Sequence, residues 1–252
     1  MNPFSTMLSA LQATPKKRLA IMQPYFFPYL GYFQLIQAVD QFVIYDDVNY
    51  IKRGWINRNV VLSHTGKQLI TLSIQGASQN KLINEVKIGN NQHKLVKTIR
   101  QNYCKAPQFP VVFPLLEEII FRKEENLANY LDYQLRCICD YLEISPEWHV
   151  SSRLNKDNQL RGQDKVLAIC KELGATHYIN LPGGKLLYDV ELFASCGIQL
   201  FFIKPKLTPY RQFGKEFIPH LSIIDIMMWN SVEDIREIFL KNFLILDKKN
   251  LT

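Results

Sequence analysis

The sequence predicts one α/β domain on a mostly parallel sheet, with a β-hairpin and a helical insertion. Three observations predict it. RLAIM, Arg18 to Met22, reads as a short buried strand. GYFQLIQAV, Gly31 to Val39, repeats apolar residues at helical spacing, and FVIYDD, Phe42 to Asp47, is a β-rich run. Strand, helix and strand within about thirty residues outline a parallel, right-handed βαβ unit. The C-terminal half alternates again, with DKVLAICKELG, HYINL, DVELFASCG and IQLFFIK in succession.

The elements follow in order. VVLS and KQLITLSI flank HTGK, which predicts an antiparallel hairpin turning at Thr65-Gly66. QHKLVKTIRQNYCK, VFPLLEEIIF and NLANYLDYQLRCICDYLE read as three helices. In the third, Leu127, Leu131, Leu135, Ile138 and Leu142 share one face. These helices form the insertion, about residues 91–144. WHVSS, Trp148 to Ser152, is a candidate strand. Asp164 and Gly174 mark the start and end of the next helix. IPHLSIIDIMMWN and SVEDIREIFLKNF are expected to close the chain as helices, the last capped by Ser231. Residues 1–15 read as a disordered leader, and residues 16–252 as one domain.

Composition narrows the function. The 252 residues are 47% hydrophobic and 21% charged, enough to bury a sizeable core. No run is long and apolar enough for a membrane span, and no signal peptide is evident. An odd number of cysteines without export signals points to a reducing cytoplasm. The net charge of +7 favours anionic partners. No paired His or Cys spacing suggests a metal, and no GxGxxG, Walker or GxSxG motif names a cofactor or nucleophile.

Three loops carry the candidate chemistry. MQPYFFPYLGYFQLI, Met22 to Ile36, leaves the first strand and enters the first helix, where open α/β folds place ligands. Gln23, Tyr25, Gly31 and Tyr32 are its candidate binding residues. YDDVNYIKRGWINRN, Tyr45 to Asn59, offers Asp46 or Asp47 as a base and Asn57 as an oxyanion donor. Lys52, Arg53 and Arg58 are placed to hold phosphate, Trp55 to stack and Asn59 to hydrogen-bond. GATHYINLPGGKLLYD adds Asn180, Gly183, Gly184, Tyr188 and Asp189 as binding residues, with His177 as a second candidate base. Ser222 and Asp225 in LSIID are three apart and read as a helix face.

With LSIID, these blocks resemble the WbqC-like family from about Arg18 to about Asp247. The resemblance implies a role in bacterial O-antigen or other surface-polysaccharide synthesis. It also implies a glycine transferase acting on an amino sugar or sugar nucleotide. The resemblance names no acyl donor; glycyl-tRNA or a carrier-protein thioester would suit the positive charge equally. No catalytic residue is carried over from the family. Tyr29-Leu30-Gly31-Tyr32 is distantly similar to the His-x-Gly-His of HIGH-motif nucleotidylyltransferases, with the glycine kept and both histidines replaced. That likeness implies a Rossmann-like fold and leaves two alternatives, a degenerate ATP-dependent ligase or nucleotidyltransferase and a non-catalytic sugar-nucleotide or nucleic-acid binding module.

Overall fold

A computed structural model of the chain describes residues 16–214 and 216–251. The expected leader, residues 1–15, lies outside the described residues. The first βαβ unit is β1 (Arg18–Met22), α1 (Leu30–Gln37) and β2 (Gln41–Ile44). β1 and β2 pair in parallel, Leu19 opposite Gln41 through Met22 opposite Ile44. The chain returns to the sheet at β7 (Glu147–Val150), beside β2, and at β8 (His177–Asn180), beside β1. β9 (Gln199–Pro205) pairs in parallel with β8, and β10 (Phe243–Asp247) pairs antiparallel with β9. The spatial order is β10-β9-β8-β1-β2-β7. Counting only these six strands, the order is the doubly wound 3-2-1-4-5-6.

Alternation along the strands buries both faces of the sheet. Leu19, Ile21 and Val43 pack with Val166, Leu167 and Phe193, which come from α5 (Gly162–Glu172) and α6 (Val190–Ser195). Ala20, Phe42 and Ile44 belong to the larger core on the other face. α1, α2 (Gln92–Tyr103), α3 (Phe109–Phe121), α4 (Leu127–Tyr141) and α7 (Ile223–Trp229) contribute to that core. α1 is buried from Gly31 to Ile36, on every side rather than on one stripe.

Between β2 and β7 lie the hairpin, a short ladder and α2–α4. The hairpin is β3 (Arg58–Ser63) with β4 (Gly66–Thr71). Ser63 pairs with Gly66, so the turn is His64-Thr65 and sits one residue earlier than expected. Gly66 closes it at φ +106°, a value L-residues avoid. The ladder joins β5 (Ile74–Gln75) to β6 (Lys87–Ile88).

The C-terminal expectations need two corrections. α7 begins only at Ile223, because Ser222 caps it by accepting from the Ile224 N–H. α8 (Val232–Asp234) runs into a π-helical turn at Ile235–Leu240, and the next residues form β10 instead of prolonging the helix. β10 is an edge strand: its sequence, FLILD, is an apolar run, yet Leu244 and Ile245 are exposed.

Candidate functional site

The strand order reverses between β1 and β8, and their carboxyl ends open into a cleft of about 730 Å³. That volume suits a nucleotide-sized ligand, and the place is the usual ligand crevice of such sheets. Met22, Gln23, Tyr25, Tyr29 and Gly31 line it from the β1–α1 loop. Asn180, Pro182, Gly183, Gly184 and Tyr188 line it from the loop after β8. Lys206, Tyr210, His220 and Ser222 close it from the segment after β9.

The β1–α1 loop divides its rings between two tasks. Phe26 and Phe27 are fully buried and meet edge to face, and Tyr32 and Phe33 are buried behind them. Tyr25 and Tyr29 face the cleft. The loop backbone is held from four directions. The Gln134 amide on α4 donates to the Tyr25 carbonyl and accepts from the Phe27 N–H. Asn59 donates to the carbonyls of Phe26 and Phe27, and Ser222 Oγ also donates to Phe27. The Phe26 N–H donates to the Trp55 carbonyl. This over-determination supports Phe27 at φ +42°, a value a bulky residue seldom holds.

Gly31 is required by close approach. A Cβ there would lie 2.4 Å from the Tyr29 ring and 3.0 Å from Pro205. Gly184 is similar, since a Cβ would meet Asn180 Nδ2 at 2.8 Å. Asn180 itself donates to the Tyr178 and Tyr188 hydroxyls and accepts from the Leu181 N–H. Burial, and secondarily Tyr25, pushes the Tyr29 phenol up to about 12, and burial raises Tyr25. Both are neutral hydrogen-bonding rings near neutral pH.

Several candidates from the sequence stand elsewhere. Tyr32 is core, with its hydroxyl donating to the Gln23 carbonyl at 2.9 Å. His177 starts β8, so it sits at the opposite end of the strand from the cleft, roughly 10 Å away at about 3.3 Å per residue. It bonds Thr176 through Nδ1 and stacks on Phe201. Asn57 is spent between the Tyr50 hydroxyl and the Leu72 carbonyl. Asp189 is exposed and caps α6. Lys52 and Arg53 lie on an exposed turn and do not line the cleft, and Arg58 donates to the carbonyls of Gly54 and Arg53. Asn59 holds the β1–α1 loop, as described.

Neither strand-end aspartate faces the cleft. Asp46 accepts from the Ser152 N–H and hydroxyl, at 2.9 and 2.6 Å, and from Asn84. It fastens β2 to the turn after β7. Asp47 is buried between the ammonium groups of Lys156 and Lys165, at 2.8 and 2.9 Å. Burial pushes its carboxyl up, but the two lysines outweigh burial and hold it below the usual carboxylate range. A carboxylate so held is a weak base.

The segment after β9 supplies what the sequence reading missed. His220 is exposed, lines the cleft and has φ +60°. It is the only imidazole lining the cleft, and among the described residues no Asp or Glu lines it. Its backbone strain was invisible in sequence, and a lone His beside Pro219 carries no pattern. Asp225 anchors the segment. It is fully buried and accepts from the Tyr103 and Tyr210 hydroxyls and from Gln212, each at 2.7 Å. Burial pushes its carboxyl up despite these donors. Gln34 of α1 is also at the cleft, fully buried and donating to the Phe239 and Asn242 carbonyls.

A second cavity of about 180 Å³ adjoins the cleft. Tyr25, Tyr29 and His220 line both, while Trp55, Pro28 and Asn59 line only the smaller one. Among the described residues no cluster of three or more His, Cys, Asp or Glu could hold a metal ion. No helix among them is long and apolar enough to cross a membrane.

The model of the WbqC-like protein family matches residues 23–237. The chain is 30% identical over 220 residues to a Mycobacterium tuberculosis protein named "Uncharacterized protein Rv1507c". That match covers 84% of this chain and 93% of the relative. No solved structure matches. The matched region takes in all three loops around the cleft and the α7 cap, and the chain belongs to the WbqC-like protein family.

Proposed function

We propose that this protein is an acyltransferase that places a glycyl group on the amine of a sugar or sugar nucleotide, in bacterial surface-polysaccharide (O-antigen) synthesis. One observation carries the reading. Among the described residues, the switch-point cleft is lined by tyrosines, Lys206 and a single imidazole, His220, and by no carboxylate. Tyrosine rings stack on sugars and bases, and the lysine favours a phosphate-bearing acceptor. Among the described residues lining the cleft, His220 is the side chain suited to act as a general base. In the transfer the sugar amine attacks the glycyl carbonyl and a C–N bond forms. The bond from that carbonyl to the donor's oxygen or sulfur breaks. The amine proton passes to the imidazole and on to the leaving group.

A nucleotide-dependent ligase is the second reading, favoured by the doubly wound strand order. The positions matching the HIGH histidines count against it. Tyr32 is buried with its hydroxyl spent, and Tyr29 is a neutral phenol.

The test incubates the protein with amino-sugar nucleotides and follows the sugar by mass spectrometry. One arm receives glycyl-tRNA, another a glycyl carrier-protein thioester, and others free glycine with and without ATP. A glycyl gain from a preformed acyl donor is the expected result. A gain from free glycine that needs ATP establishes the ligase instead. Acceptor binding with no gain from any donor reduces the protein to a binding module.

A further inference from the structure

The smaller cavity has a distinct chemistry. Four of its six lining residues are rings, Tyr25, Tyr29, Trp55 and His220. Asn59, its one amide, already donates to two carbonyls and accepts from the Val60 N–H. Among the described residues no carboxylate lines the cavity. A small anion would therefore meet the electron-rich faces of rings. A small cation would meet the same faces favourably. Trp55 already draws one cation, since the Arg58 guanidinium lies 5.9 Å from its ring centroid. That guanidinium donates to the Gly54 and Arg53 carbonyls, which hold it at the Trp55 ring.

The volume admits only a small group, about the size of an aminoacyl moiety. The shared wall of Tyr25, Tyr29 and His220 sets the cavity next to the cleft. A group held there would have its far end at His220.

We propose that the cavity is an aromatic box for a primary ammonium group, and that it holds the amino end of the group being transferred. Its role as the donor's pocket rests on the transfer reading. Its preference for ammonium does not, because that preference follows from the lining alone. Trp55 is the ring that belongs to the box and not to the cleft. It is 48% exposed, so its replacement leaves the core intact.

Glycinamide and its neutral isostere propionamide distinguish the box from a merely apolar cavity. Each is titrated into the full chain and followed by NMR line positions and indole fluorescence. Glycinamide is expected to bind about tenfold more tightly than propionamide, within the range of a desolvated cation–π contact. Trp55→Leu should abolish that difference, and Trp55→Phe should restore most of it. Equal binding of the two amides, tighter binding of acetate, no glycinamide binding, or a preference that survives Trp55→Leu overturns the proposal. Because no acceptor is present, the outcome is independent of whether glycyl transfer occurs. An ammonium-selective box in a protein that transfers nothing would sink the transfer reading and leave the box standing.

Discussion

His220 and Asp47 show how position, not residue type, assigns chemistry. His220 holds φ +60°, which costs an L-residue about 1–2 kcal/mol. Its imidazole makes an edge contact with Tyr29, and among the described residues no hydrogen bond to it is seen. His220→Gly should therefore abolish transfer while leaving the melting temperature unchanged or higher, as thermal unfolding of both proteins would show. A drop of several degrees would instead mark His220 as a structural residue. Asp47 is the reverse case. Asp47→Asn strands two buried lysines and should cost about 3–5 kcal/mol at neutral pH by denaturant unfolding. Its folded value is depressed, so its contribution is present above the unfolded carboxylate value. The contribution is lost as pH falls through the folded one. The Asn variant should therefore lose less stability than the parent on acidification, and parallel pH curves for the two would refute the assignment.

At the scale of elements, the β1–α1 loop is a fixed wall rather than a lid. Gln134, Asn59, Ser222 and Trp55 hold its backbone, and Phe26 and Phe27 are its roots. Tyr29 faces the cleft, and Gly31 leaves room for its ring. Gly31→Ala should cost about 1–3 kcal/mol by overpacking and displace the Tyr29 ring. Because Tyr29 lines both cavities, acceptor and glycinamide affinities should fall together. Loss of one alone would show that the ring does not couple them. α7 plays a parallel part on the other wall. Ser222 at its cap binds the β1–α1 loop, and Asp225 one turn later binds Tyr210 and Gln212.

Across the whole molecule, the last residues brace the cleft. Lys185 Nζ donates to the Leu251 carbonyl at 2.5 Å, and Lys248 Nζ donates to the Tyr188 carbonyl at 2.7 Å. These two bonds tie the tail to the loop after β8, whose Leu186 and Leu187 are exposed. The double variant Lys185→Met, Lys248→Met should speed amide exchange in residues 182–188 and weaken acceptor binding several-fold. Unchanged exchange there would show that Asn180 and Gly184 alone hold the loop.

The sequence by itself determined the doubly wound core, because strand and helix periods are local and repeat along the chain. RLAIM, FVIYDD, HYINL and IQLFFIK all became sheet strands. It also located the two loops that face each other across the switch point, since strand-end loops carry ligands wherever the sheet reverses. The tertiary structure decided which side chains in those loops are free. Asp46, Asp47, Asn57 and Asn59 are polar residues in a polar loop, and only long-range partners show that each is already spent. β10 and the exposure of His220 were hidden for the same reason. An edge strand and a strained imidazole are defined by what lies across from them in space, and a single sequence records neighbours along the chain, not across it.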